Sequence, residues 1–132
     1  MTLSDTRSIV IATSSLVMAR SIQEMLNAIP GYGAVTVDRT VAVWPIVAEI
    51  NADLVVLDLE AEEIDVFQVY DLLHDRIATT AIPVLFVTAP EHESLLRRRQ
   101  LTTYVVKPFD PPTLLAYIRG LFVNRSGAEG PD

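Results

Sequence analysis

The sequence contains no cysteine, which removes disulfides, thiolate metal sites and cysteine nucleophiles from consideration and is compatible with a reducing compartment. Histidine is almost as scarce. His74 and His92 each stand alone among charged neighbours, without the spacing of a metal pair, and both are expected at the surface. Basic charge is also in short supply: 10 Lys and Arg against 17 Asp and Glu leave a formal net charge of -7. A phosphate backbone would be repelled over most of such a surface, so direct nucleic-acid binding is not expected. No apolar run approaches the roughly 18 residues that a membrane span needs. The longest, Val41 to Ala48, is interrupted by Pro45. The opening Met1-Thr2-Leu3-Ser4-Asp5 lacks the basic and apolar stretches of a secretory signal. The expectation is a cytoplasmic protein that neither enters nor crosses a membrane.

What is present is apolar and periodic. Half of the 132 residues are hydrophobic, enough for one compact core and too few residues for two ordinary domains. Ser8 to Ala12 is a short β-branched run that reads as a buried strand ending near Thr13. Met18, Ile22, Met25, Leu26 and Ile29 then recur at helical spacing until Pro30-Gly31 stops them. Ala34 to Val37 makes a second strand. Thr40 is expected to cap a second helix toward Ile50, bent or shortened at Pro45. Leu54 to Leu57 is a third strand, followed by acidic Glu60, Glu62 and Glu63 and by a helical stripe of Val66, Val69, Tyr70 and Leu73. Ile82 to Val87 and Tyr104 to Val106 supply strands four and five. Asp110 with Pro111 and Pro112 starts a last helix whose stripe is Leu114, Ile118, Leu121 and Phe122. Residues 1–123 read as the domain, and residues 124–132, with two glycines and a proline, as a flexible tail or linker.

Five apolar strands separated by helix-length segments imply a doubly wound α/β fold, a five-stranded parallel sheet covered on both faces. Chemistry in such folds collects at the carboxyl ends of the strands. Thr13, Ser14, Asp58, Thr88 and Lys107 fall there. Three of them form a coherent set: Asp58 can accept a phosphoryl group as an acyl phosphate, Lys107 can neutralise its oxygens and Thr88 can hydrogen-bond to one of them.

On these residues the chain resembles the response-regulator receiver family, CheY-like and characteristic of bacterial two-component systems. The resemblance runs from Ser8 to Phe122. Ala52-Asp53-Leu54-Val55-Val56-Leu57-Asp58-Leu59 is similar to the family's third strand with its terminal phosphoacceptor, and Ile82 to Ala89 to the fourth strand with its hydroxyl residue, Thr88. Val106-Lys107-Pro108-Phe109 resembles the family's lysine followed by a usually cis proline. Tyr104 occupies the place of the switch aromatic. The resemblance implies a flavodoxin-like fold of strand order 2-1-3-4-5 and non-enzymatic signalling. It implies partners such as a histidine kinase, a phosphotransfer protein or an output domain, with a homodimer as a further option.

Two departures bear on function. The acidic pair that the family places after strand one is here Thr13 and Ser14. Mg2+ prefers carboxylate oxygens, and neutral hydroxyls compensate poorly for its dehydration, so metal binding and metal-dependent phosphorylation are expected to be weak or absent. Asp58 and Lys107 should then pair directly. Glu60, or Glu62 and Glu63, is the available substitute metal ligand, set against the plainer expectation of a solvated acidic loop. The second departure is Arg97 to Thr103, which replaces a glycine-containing turn and implies a short or irregular fourth helix. Arg97 to Arg99 read either as a patch for an acidic partner or as a solvated helix end.

Three functions follow from these features. A degenerate receiver would signal through protein contacts. A competent receiver would accept a phosphoryl group on Asp58. A flavin- or nucleotide-binding module would use Thr13-Ser14-Ser15 as a phosphate loop, although that loop has no glycine to let a phosphate approach the backbone.

Overall fold

The computed structural model describes residues 6–127. Strands β1 (Arg7–Ala12), β2 (Tyr32–Val37), β3 (Leu54–Asp58), β4 (Val84–Thr88) and β5 (Tyr104–Val106) alternate with helices α1 (Leu16–Asn27), α2 (Thr40–Ile50), α3 (Val66–Asp75), α4 (Glu93–Arg98) and α5 (Pro111–Gly127). All strand pairs are parallel, in the order β2-β1-β3-β4-β5. This is the flavodoxin-like arrangement expected from the sequence.

The alternation of side chains along each strand divides the core into two layers. Ile9, Ile11, Leu54, Val56, Leu85 and Val87 face α1 and α5, where Ile22, Leu26, Leu114, Ile118 and Phe122 meet them. Val10, Ala12, Val55, Leu57 and Phe86 face the opposite way, against Val43, Val47, Val66, Val69, Leu73 and Leu96. Burial on both faces explains why these strands read as continuous apolar runs.

Several local expectations change. Pro45 neither ends nor shortens α2, which runs to Ile50. It is exposed, one turn after the 82% exposed Val41 and away from the buried Val43 and Val47. Thr40 is not the cap. Arg39 holds that position without a side-chain bond, and the Thr40 hydroxyl instead donates to Glu63 O (3.2 Å) and accepts from Asp65 N (2.9 Å), tying α2 to the loop before α3. The strand limits also shift, with β2 beginning at Tyr32 and β4 at Val84. Asp110 does cap α5, accepting from Thr113 N at 2.8 Å. That helix continues to Gly127, past the boundary drawn at residue 123. The rest of the tail, residues 128–132, and the N-terminal residues 1–5 lie outside the described residues.

Helix α4 is a single six-residue stretch preceded by a 3-10 turn at Pro90–His92. Its basic end is exposed and carries side-chain pairs. Arg99 donates to both oxygens of Asp71 at 2.8 and 3.0 Å with its guanidinium 4.6 Å from the Phe67 ring centroid, and Arg97 lies 3.4 Å from Glu93. Trp44 is half-buried against the α2–α3 side of the core, with the Arg76 guanidinium 4.7 Å over its ring. No helix among the described residues is long and apolar enough to cross a membrane.

Candidate functional site

The carboxyl ends of β1, β3, β4 and β5 meet at one edge of the sheet and bring together most of the residues singled out in the sequence. Asp58 is the last residue of β3 and is 2% exposed. A buried carboxylate requires donors on both oxygens. Oδ2 accepts from the Thr13 hydroxyl at 2.6 Å. Oδ1 accepts from Lys107 Nζ at 2.9 Å and from Glu60 N at 3.2 Å. The expected pairing of Asp58 with Lys107 is therefore present, across the intervening strand β4.

Backbone bonds hold each partner. Thr13 follows β1 and donates its N–H to Val37 O (3.0 Å), while its hydroxyl accepts from Ser15 N (3.0 Å). Lys107 follows β5, is fixed through its N–H to Thr88 O (2.8 Å), and precedes a cis bond to Pro108. Ser14 behaves differently: it lies on the bend after β1 and is exposed. Ser15 caps α1, its hydroxyl accepting from Met18 N at 3.2 Å.

Glu60 is the largest departure from the sequence reading. The solvated acidic loop describes Glu62 and Glu63, which are exposed, but Glu60 folds back into the site. Its Oε2 accepts from Ala89 N at 2.9 Å, lies 2.8 Å from His92 Nδ1 and is 3.4 Å from the Thr88 hydroxyl. Lys107 Nζ stands 3.0 Å from Oε1 as an ion pair. Burial works to raise the Glu60 pKa, but the Ala89 N–H, His92 and Lys107 outweigh it and hold the carboxyl below the ordinary glutamate range. Lys107 shows the mirror image. Burial acts to lower its pKa, and the bonds and charges of Asp58 and Glu60 raise it above the ordinary lysine value.

His92 was expected to be an ordinary surface residue. Its side chain is 44% exposed, yet Nδ1 closes on Glu60, so it belongs to the site's rim. No spacing rule could have found it, because the contact spans 32 residues and depends on how two loops fold over the sheet edge. His74 instead stacks on Tyr70, with ring centroids 5.7 Å apart. Thr88 is fully buried, and its hydroxyl lies 2.9 Å from Ala89 O as well as facing Glu60. Tyr104 opens β5, packs against the α2–α3 side of the core and donates its hydroxyl to Glu93 Oε1 at 3.0 Å. Among the described residues, no group of three or more His, Asp or Glu side chains is placed to hold a metal ion.

A sequence model described as the response regulator receiver domain matches residues 9–119. No curated protein sequence matches. Solved structures resemble this one at low identity. A sensor protein from Polaromonas sp. is 21% identical with a TM-score of 0.79, over 90% of this chain and 98% of its own. The chemotaxis response regulator CheY4 of Vibrio cholerae is 18% identical with a TM-score of 0.75, over 88% and 98%. A signal receiver domain of an HD domain-containing protein from Pseudomonas fluorescens is 16% identical with a TM-score of 0.80, over 100% and 98%. At these identities the structures speak to the fold.

Proposed function

The chain belongs to the response regulator receiver domain family, and from that premise we propose that it is an atypical receiver, a signalling module that works by protein contacts with little or no Mg2+-dependent phosphorylation. The supporting observation is the Thr13 hydroxyl, bonded to Asp58 Oδ2 at 2.6 Å where the family has an acidic pair. The donor set fits Mg2+ poorly. Asp58 is already satisfied on both oxygens, Thr13 offers a neutral hydroxyl, and the Glu60 carboxylate is committed to Ala89 N, His92 and Lys107. Charge points the same way: two carboxylates around one ammonium leave the cluster formally at minus one with His92 neutral, which opposes an incoming phosphate.

Partners in this reading are a histidine kinase, a phosphotransfer protein or an output domain in the cytoplasm, and the chain itself turns over no substrate. The site arrangement also supports a second reading, a competent receiver, because Asp58 and Thr88 end the neighbouring strands β3 and β4 and Lys107 follows β5, with its ammonium on Asp58. A flavin or nucleotide module has less support, since the Thr13 and Ser15 hydroxyls are both used within the chain.

Incubation with Mg2+ and acetyl phosphate separates the first two readings. The wild type is expected to stay unlabelled, whereas Thr13→Asp combined with Ser14→Asp is expected to label at Asp58. Stoichiometric labelling of the wild type would overturn the atypical reading.

A further inference from the structure

The Glu60 carboxylate sits at the convergence of donors from three separate segments: the Thr88 hydroxyl and Ala89 N–H at the end of β4, His92 in the 3-10 turn, and the Lys107 ammonium after β5. A cation, a main-chain N–H, a hydroxyl and an imidazole nitrogen around one small space make a set suited to a phosphate-like oxyanion. The same donors also accept a carboxylate. Glu60 supplies one from a residue two positions beyond Asp58, and its Oε1 lies 3.0 Å from the lysine ammonium.

We infer that Glu60 is a resident occupant of an oxyanion pocket built by Lys107, Ala89 N–H, Thr88 and His92, which masks the pocket from external tetrahedral oxyanions such as phosphate. The inference rests on the receiver reading only for the choice of oxyanion, because the donors converge on Glu60 whatever Asp58 can or cannot do. Two physical effects follow from removing the glutamate. The Ala89 N–H loses its acceptor, and an unsatisfied donor in a partly buried site is costly enough to favour any acceptor that can enter. The cluster's formal charge also rises from minus one to zero, so an anion is no longer repelled by a surplus carboxylate.

The consequence extends beyond the pocket. His92 is followed directly by Glu93, which accepts from the Tyr104 hydroxyl at 3.0 Å. Glu60 thus anchors the turn that leads into α4, and its release is expected to be felt at Tyr104.

The test is titration with inorganic phosphate at constant ionic strength, chloride serving as the control anion, with the amide resonances of Ala89 and Tyr104 as readouts. Glu60→Ala is expected to bind phosphate at least about tenfold more tightly than the wild type, and Glu60→Gln, which keeps an acceptor oxygen but drops the charge, to fall between them. Adding Lys107→Met to either variant should abolish the gain. Should Glu60→Ala fail to fold, Glu60→Gln against the wild type carries the comparison. Equal responses in wild type and variants, or saturable binding in none of them, would overturn the inference. The titration contains neither Mg2+ nor a phosphodonor, so a wild type that labels at Asp58 yet shows the masked phosphate response defeats the atypical reading alone. The reverse pair of results defeats the oxyanion pocket alone.

Discussion

At the scale of single residues, Asp58 is buried and three donors reach its carboxyl group: the Thr13 hydroxyl, the Lys107 ammonium and the Glu60 N–H. Removing the cation leaves Oδ1 with the 3.2 Å bond from Glu60 N alone. Lys107→Ala is therefore expected to cost about 2–3 kcal/mol, below the full penalty of an unpaired buried charge because two donors remain and the lysine was partly solvated. Urea denaturation of Lys107→Ala, Asp58→Asn and the double variant checks this, and strictly additive losses would contradict it. Glu60 makes an independent prediction about pH. Its carboxyl is held low in the folded protein, so it binds a proton more readily when unfolded. Its contribution to stability is complete above the unfolded pKa and disappears as pH falls through the lower, folded value. Lys107, shifted upward, contributes fully below its unfolded pKa and loses its share only on the alkaline side, so it does not blur the acid limb. The stability gap between wild type and Glu60→Gln should thus be widest near neutrality and close on acidification, as chemical denaturation at a series of pH values will show. A gap that widens toward acid would contradict the assignment.

At the scale of elements, the segment from α4 to β5 departs most from a regular pattern. Gln100 adopts a φ of 61°, in the left-handed region where a Cβ is penalised, and it stands in the stretch that replaces the family's glycine-containing turn. Asn51 takes a similar φ of 53° at the end of α2, but asparagine tolerates that conformation far better. Gln100→Gly is expected to raise stability by up to about 1 kcal/mol, since relief of the side-chain clash exceeds the added freedom of the unfolded chain. A denaturation midpoint that stays level or falls would count against it. The turn persists with glutamine because its backbone is held from both sides, by Gln100 N to Arg97 O (2.9 Å) and Leu101 N to Leu96 O (2.9 Å), while Arg99 is drawn toward Asp71 and Phe67.

At the scale of the whole molecule, a ligand that binds only the folded state at a hundredfold its dissociation constant adds about 2.7 kcal/mol of stability. Millimolar Mg2+ is expected to leave the melting temperature of the wild type unchanged and to raise that of the Thr13→Asp, Ser14→Asp variant; a rise in the wild type would contradict the atypical reading. How much of this was legible in advance differs by region. Strands and helices were readable because burial on both sheet faces writes itself as unbroken apolar runs, and helical stripes such as Ile22–Leu26 or Leu114–Ile118 follow the geometry of the element itself. The meeting of Asp58 with Lys107 was readable as well, because parallel strands in this order bring their carboxyl ends to one edge. The roles of Thr40 and Glu60 were not legible because they depend on where neighbouring loops go. The amino-acid sequence by itself determined the sheet, the two-sided core and the exchange of acidic residues for Thr13 and Ser14, all set by local side-chain chemistry and period. Only the tertiary structure decided that Glu60 and His92 close over the site, since donors from β4, β5 and the intervening turn become neighbours through the folding of the chain and through nothing in their spacing.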